Sequence, residues 1–160
     1  MIAVSNTTPI ISLFKIGQLD LLQVLFSRVF IPTAVYHEIA VLGSGKTGDT
    51  AIDDAEYINV TDIQNKMAAS LLRSQLDYGE AEAIVLAGEL GADILLLDEK
   101  KARKVAQANF QAIIGTLGIL QAAKGKGLIP DMRTQLDSLI ANGIWIDHKL
   151  YQAILHNNNE

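Results

Sequence analysis

Apolar positions along this chain follow two periodicities that alternate. Three short runs, IAV at 2–4, ILLL at 94–97 and AII at 112–114, are apolar without interruption, as expected of strands covered on both faces in a parallel sheet. RVFIP at 28–32 and YINV at 57–60 carry the same signature more weakly. Between the runs, amphipathic segments at helical spacing cover 9–26, 33–42, 63–75, 79–91, 99–108 and 116–125, followed by 130–142 and 147–156. Strands alternating with helices predict right-handed crossovers and a three-layer α/β/α sandwich around a mostly parallel sheet. The polar stretch GSGKTGDTAIDD at 43–54 reads as a surface loop.

Length and composition narrow the class. A chain of 160 residues suits one core, so a single domain over 1–156 and a flexible tail over 157–160 are expected. No apolar run approaches the roughly 20 residues of a spanning helix, and no basic segment precedes a signal-type core. No membrane association is therefore expected, and the cytoplasm is the expected compartment. Cysteine is absent, which excludes disulfides, thiolate metal sites and cysteine nucleophiles. Lys and Arg number 13 against 18 Asp and Glu, a net charge of −5. Phosphate contacts need basic surface, so any RNA site must be a local patch.

Candidate chemistry collects at the predicted strand ends. SNTT at 5–8 falls where IAV hands over to PIISLF, and Asn6, Asp98 and Thr116 should all emerge at the carboxyl edge of a parallel sheet, where open α/β folds build their sites. In 79–91, Glu82 and Glu89 fall on the solvent side, whereas Glu80 lies on the apolar stripe in the first turn. Glu80 is open to two readings: an inward acid that must be paired, protonated or metal-bound, or the reciprocal partner of Asp77 in a capping box. In 33–42 the core face is Val35, Ile39 and Leu42; His37 points away and Glu38 sits on the flank. Asp98 is either a site acid or the N-cap of 99–108. Together, Glu38, Glu80 and Asp98 would converge near Asn6. Clustered carboxylates repel unless a cation lies between them. Oxygen donors without His or Cys suit Mg²⁺ or Mn²⁺, which can activate water against a phosphodiester.

The segments VSNTTPIISL, IPTAVYHEI, GEAEAIVLAGELGADILLLDEKKARKVA and IIGTLGIL, in that order over about residues 2–130, resemble the PIN-domain ribonucleases, in particular the branch close to VapC-type toxins. The resemblance implies a PIN fold, Mg²⁺- or Mn²⁺-dependent endoribonuclease activity, homodimerisation and an antitoxin partner. It places the family's acids on Glu38, Glu80 and Asp98, with Thr7 or Thr8 and Thr116 supporting through their hydroxyls. The family's first acid falls on Asn6, so the pattern is broken there. An amide can still offer an oxygen to a cation, but a full charge is lost. At an effective dielectric near 20, a unit pair at about 4 Å is worth on the order of 4 kcal/mol. The rival reading is a PIN-like RNA- or protein-binding module that has lost catalysis.

Other features carry less. The helix EKKARKVAQANF places Lys100, Arg103 and Lys104 on one side, either as an RNA-backbone patch or as a solvated face. AVLGSGKT at 40–47 mimics a phosphate loop, but an amphipathic helix precedes it where a strand is required, so no nucleotide cofactor is expected. His37, His148 and His156 lack metal-type spacing, and no serine sits in a nucleophile-elbow setting. Trp145 and Tyr151 read as core or dimer-contact residues.

Overall fold

The computed structural model describes residues 1–42, 52–109 and 112–160. Most of the predicted 43–54 loop, and with it the glycines of the phosphate-loop mimic, lies outside the described residues; the three that precede those glycines, 40–42, end a helix.

Five parallel strands form the sheet: β1 (Ile2–Ser5), β2 (Arg28–Pro32), β3 (Ile58–Thr61), β4 (Ile94–Leu96) and β5 (Ile113–Ile114), in the order β3-β2-β1-β4-β5. The register pairs Ser5 with Leu96 and Leu96 with Ile114. Alternate strand residues feed opposite layers, which is why the sequence runs lacked polar positions. Ala3, Val29, Ile31 and Leu96 join one buried cluster, and Val4, Leu95 and Leu97 the other. Both faces are covered, so the α/β/α sandwich expected from the pattern is the observed fold.

The first cluster is closed by α1 (Thr7–Lys15), α2 (Leu21–Phe26), α3 (Thr33–Leu42), α7 (Thr116–Gly125) and α8 (Met132–Ala141), with α9 (His148–Asn157) packed beyond. The second is closed by α4 (Lys66–Leu72), α5 (Tyr78–Leu90) and α6 (Lys100–Ala106). In α5, Ala81 and Ala83 through Ala87 are all buried. The small ones, Ala81, Ala83 and Ala87, let this central helix sit close against the strands, and Ile84, Val85 and Leu86 fill the layer around it.

Three expectations need correction. The single helix at 9–26 is two helices, because Gly17 adopts φ +70°. Its N–H bonds Phe14 O while Gln18 N–H bonds Leu13 O, the paired closure of a glycine-terminated helix. Leu42, assigned to the core, is 65% exposed. Trp145 is 83% exposed and so is no core residue, whereas Tyr151 packs on the first cluster and donates to Asp137 Oδ1 at 2.6 Å. The terminal residues are held. Asn158 and Gln121 exchange two side-chain amide hydrogen bonds of 2.9 Å, and the Glu160 carboxylate accepts from Met132 N–H and Arg133 N–H at the start of α8. Periodicity cannot register such a cap, because it depends on polar groups that meet only after folding.

Candidate functional site

The strand order reverses direction between β1 and β4: the chain builds outward from β1 through β2 to β3, then crosses back to β4 on the other side. A crevice must open at the carboxyl ends of those two strands. Asn6 follows β1 and Asp98 follows β4 by two residues. Asn6 N–H donates to Leu96 O at 3.0 Å, fastening the two exits together.

In that crevice lies a hollow of about 370 Å³ lined by Asn6, Thr7, Thr8, Glu38, Leu42, Asp77, Glu80, Asp98 and Glu99. The four residues singled out for chemistry thus reach one cavity from separate segments. Each is held differently.

Asn6 is the N-cap of α1, yet its side chain makes no capping hydrogen bond. One of the two usual recipients is missing, since the third helical position is Pro9, which has no N–H. Asn6 is 4% exposed, and its Oδ1 is buried without a hydrogen-bond partner among the described residues. A buried amide oxygen left unpaired costs about 1–3 kcal/mol. Such an atom in a polar hollow points to a missing electropositive partner.

Glu38 is clamped. Its Oε2 accepts from the Thr7 hydroxyl, and its Oε1 accepts from Gly79 N–H at 2.9 Å. A Cβ at position 79 would lie 2.5 Å from Glu38 Oε2, so any larger residue there would push the carboxylate out of this position. Thr7 therefore supplies the hydroxyl; Thr8 is exposed on the rim.

Glu80 combines both of its readings. Asp77 Oδ1 accepts from Glu80 N–H at 2.8 Å and Glu80 Oε1 accepts from Asp77 N–H at 3.1 Å, completing a capping box. The residue is nevertheless only 7% exposed and lines the hollow. Burial holds its carboxyl above the ordinary carboxylate range, with the Asp77 and Glu99 charges adding to the rise and the Asp77 N–H opposing it.

Asp98 does not cap the helix that follows it, one of the two readings left open by the sequence. Glu99 is that N-cap, without a side-chain bond. Asp98 caps α7 instead, accepting from Thr116 N–H and the Thr116 hydroxyl, each at 2.6 Å. A Cβ at Gly115 would come within 2.5 Å of Asp98 Oδ1. Both cradling glycines, Gly79 and Gly115, precede a residue of interest by one position, but nothing in the sequence distinguishes them from turn glycines.

Glu82 and Glu89 also differ from expectation, being anchors as well as solvent-side charges. Glu82 accepts from Ala34 N–H at the start of α3, and Glu89 from Gln64 N–H and Asn65 N–H before α4.

The three acids therefore share a cavity without forming a tight trio. Among the described residues, no three His, Cys, Asp or Glu side chains are close enough together to hold an ion. Glu38 and Asp98 have turned to hydrogen-bond donors at the starts of α5 and α7, which satisfy charge without a cation. Among the described residues, the lining oxygens without a hydrogen bond include Asn6 Oδ1, the second oxygen of Glu80 and the Glu99 carboxylate. Hard oxygen donors, one neutral and the others acidic, fit a Mg²⁺- or Mn²⁺-type cation that retains most of its waters.

A parallel five-stranded sandwich with acids at its switch point is an open α/β fold with a ligand crevice. Residues 2–160 match a family model described as a PIN domain, and the chain belongs to the PIN-domain family. No curated protein matches it. No helix among the described residues is long and apolar enough to cross a membrane.

Proposed function

We propose that this protein is a metal-dependent endoribonuclease whose activity is weakened by the amide at position 6. The observation that carries the reading is the unpartnered, buried Asn6 Oδ1 in a hollow shared with Glu38, Glu80 and Asp98. Asn6 and Glu80 would hold a Mg²⁺ or Mn²⁺ ion, with Asp98 and Glu38 flanking it. Bound there, the ion supplies an acidified water and neutralises charge on the phosphodiester. The chain's own residues do the positioning: Thr7 and Gly79 fix Glu38, Thr116 fixes Asp98, and the capping box fixes Glu80. RNA is the substrate class that family membership favours. The toxin role, the antitoxin partner, the homodimer and a cytoplasmic location rest on the resemblance of the four segments to VapC-type toxins.

A second reading is a PIN-like binding module without catalysis. It is favoured by the engagement of both oxygens of Glu38 and of Asp98 by protein donors. Cleavage of RNA in Mn²⁺ by the wild type and by Asn6→Asp, with chelator controls, separates the two. Calorimetry should find Mn²⁺ binding at least roughly tenfold tighter in the variant, since a restored unit charge at contact distance is worth more than the 1.4 kcal/mol that tenfold requires. Chelator-sensitive cleavage that rises in Asn6→Asp supports the nuclease. Silence in both proteins, with no added affinity, supports the binding module.

A further inference from the structure

A second hollow, of about 510 Å³, adjoins the first and shares Asp98 with it; its other lining residues are Lys100, Arg103, Lys104 and Gln107. The chain carries a net charge of −5 with 13 Lys and Arg, and four of those 13 fall within residues 100–104. The ion pairs among the described residues are Lys66–Asp62 and Lys124–Glu160, so none neutralises this helix. Ala102 and Ala106 are fully buried against the sheet, which fixes the helix and turns the charged side outward. Arg103 is half-buried, and its Nη1 lies 3.2 Å from where a Cβ of Gly115 would be. The guanidinium thus lies close to Gly115 and on the Asp98 side of the helix.

We infer that Lys100, Arg103 and Lys104 form a phosphate subsite that holds the backbone of a single-stranded RNA next to the acid hollow, with Arg103 as its anchor. The inference rests on the ribonuclease reading and adds where the strand lies: one phosphate on the basic side of Asp98 leaves the neighbouring phosphodiester over the acids. Arg suits the anchor because its planar fork binds phosphate oxygens in pairs, and a half-buried side chain has less freedom to lose.

The test measures binding of a fluorescein-labelled single-stranded RNA to the full chain by anisotropy in EDTA, where neither cation nor cleavage contributes. Replacing Lys100, Arg103 and Lys104 together by Glu should weaken binding by roughly tenfold or more at 0.1 M salt. It should also lower the slope of log affinity against log salt by about 2, given about 0.7 per single-strand phosphate contact. Lys101→Glu, on the same helix but outside the lining, should leave the slope near that of the wild type. If charge reversal unfolds the chain, replacement of the three by Gln gives the same readout with exposed or half-exposed neutral side chains. Wild-type affinity and slope in the triple variant overturn the subsite while leaving the ribonuclease reading intact, as does an equal loss from Lys101→Glu. A wild type that binds no RNA even at low salt overturns both.

Discussion

Asn6 and Glu80 show how a single position can be ordinary by type and exceptional by placement. Asn is among the preferred N-cap residues, yet here it caps nothing and its Oδ1 stays unpaired. Glu three residues after Asp is a capping box in any helix, yet this one is buried in the crevice. Because burial raises the folded-state value of Glu80, the folded state favours its protonated form. Its contribution to stability is therefore complete below the unfolded value of about 4.3 and is lost as pH rises through the higher folded value. Glu80→Gln keeps an acceptor at the box position and removes that loss. Urea denaturation at pH 4 and pH 8 should show the variant gaining on the wild type at the higher pH; an equal difference at both would refute the buried-acid assignment.

Among the secondary-structure elements, helix starts do the organising. The starts of α3, α5 and α7 each receive a carboxylate from elsewhere in the chain: Glu82, Glu38 and Asp98 respectively. Two of these contacts tie α3 and α5, helices of opposite layers, to each other, and the third ties α7 to the end of β4; they explain why acids expected to crowd a cation are drawn apart. Thr116→Val removes the hydroxyl donor to Asp98 while leaving the backbone N–H, so thermal or chemical denaturation should show a loss of about 1 kcal/mol. Gly17→Ala tests the break between α1 and α2. Nothing lies within 4 Å of the added methyl, so the expected loss of about 1 kcal/mol comes from the left-handed backbone alone.

Across the whole molecule, charge and closure are unevenly distributed. A net acidic chain places four of its 13 Lys and Arg within residues 100–104, without an ion pair among the described residues, beside the acid hollow. Residues 158–160 tie to α7 and α8, none of them lining either hollow. Glu160 caps α8, Arg133 Nη2 donates to Glu160 O at 3.1 Å, and Asn158 joins α7 through Gln121. Removing residues 158–160 should therefore lower the melting temperature by several degrees without altering Mn²⁺ affinity at the distant hollow. An unchanged melting temperature would mean that these caps add nothing to stability.

Local pattern determined much of this molecule. The doubly covered strands, the helices at 33–42 and 116–125, and the emergence of Asn6, Asp98 and Thr116 at one edge all follow from periodicity and parallel topology. Those are properties of neighbours in sequence and of chain handedness. Only the tertiary structure decided which donor each acid would meet. Asp98 bonds Thr116, 18 residues away, and Glu38 bonds Gly79, 41 residues away; no spacing rule encodes such pairs. The open oxygen of Asn6 is likewise a consequence of what failed to pack against it, which no residue's own chemistry can announce.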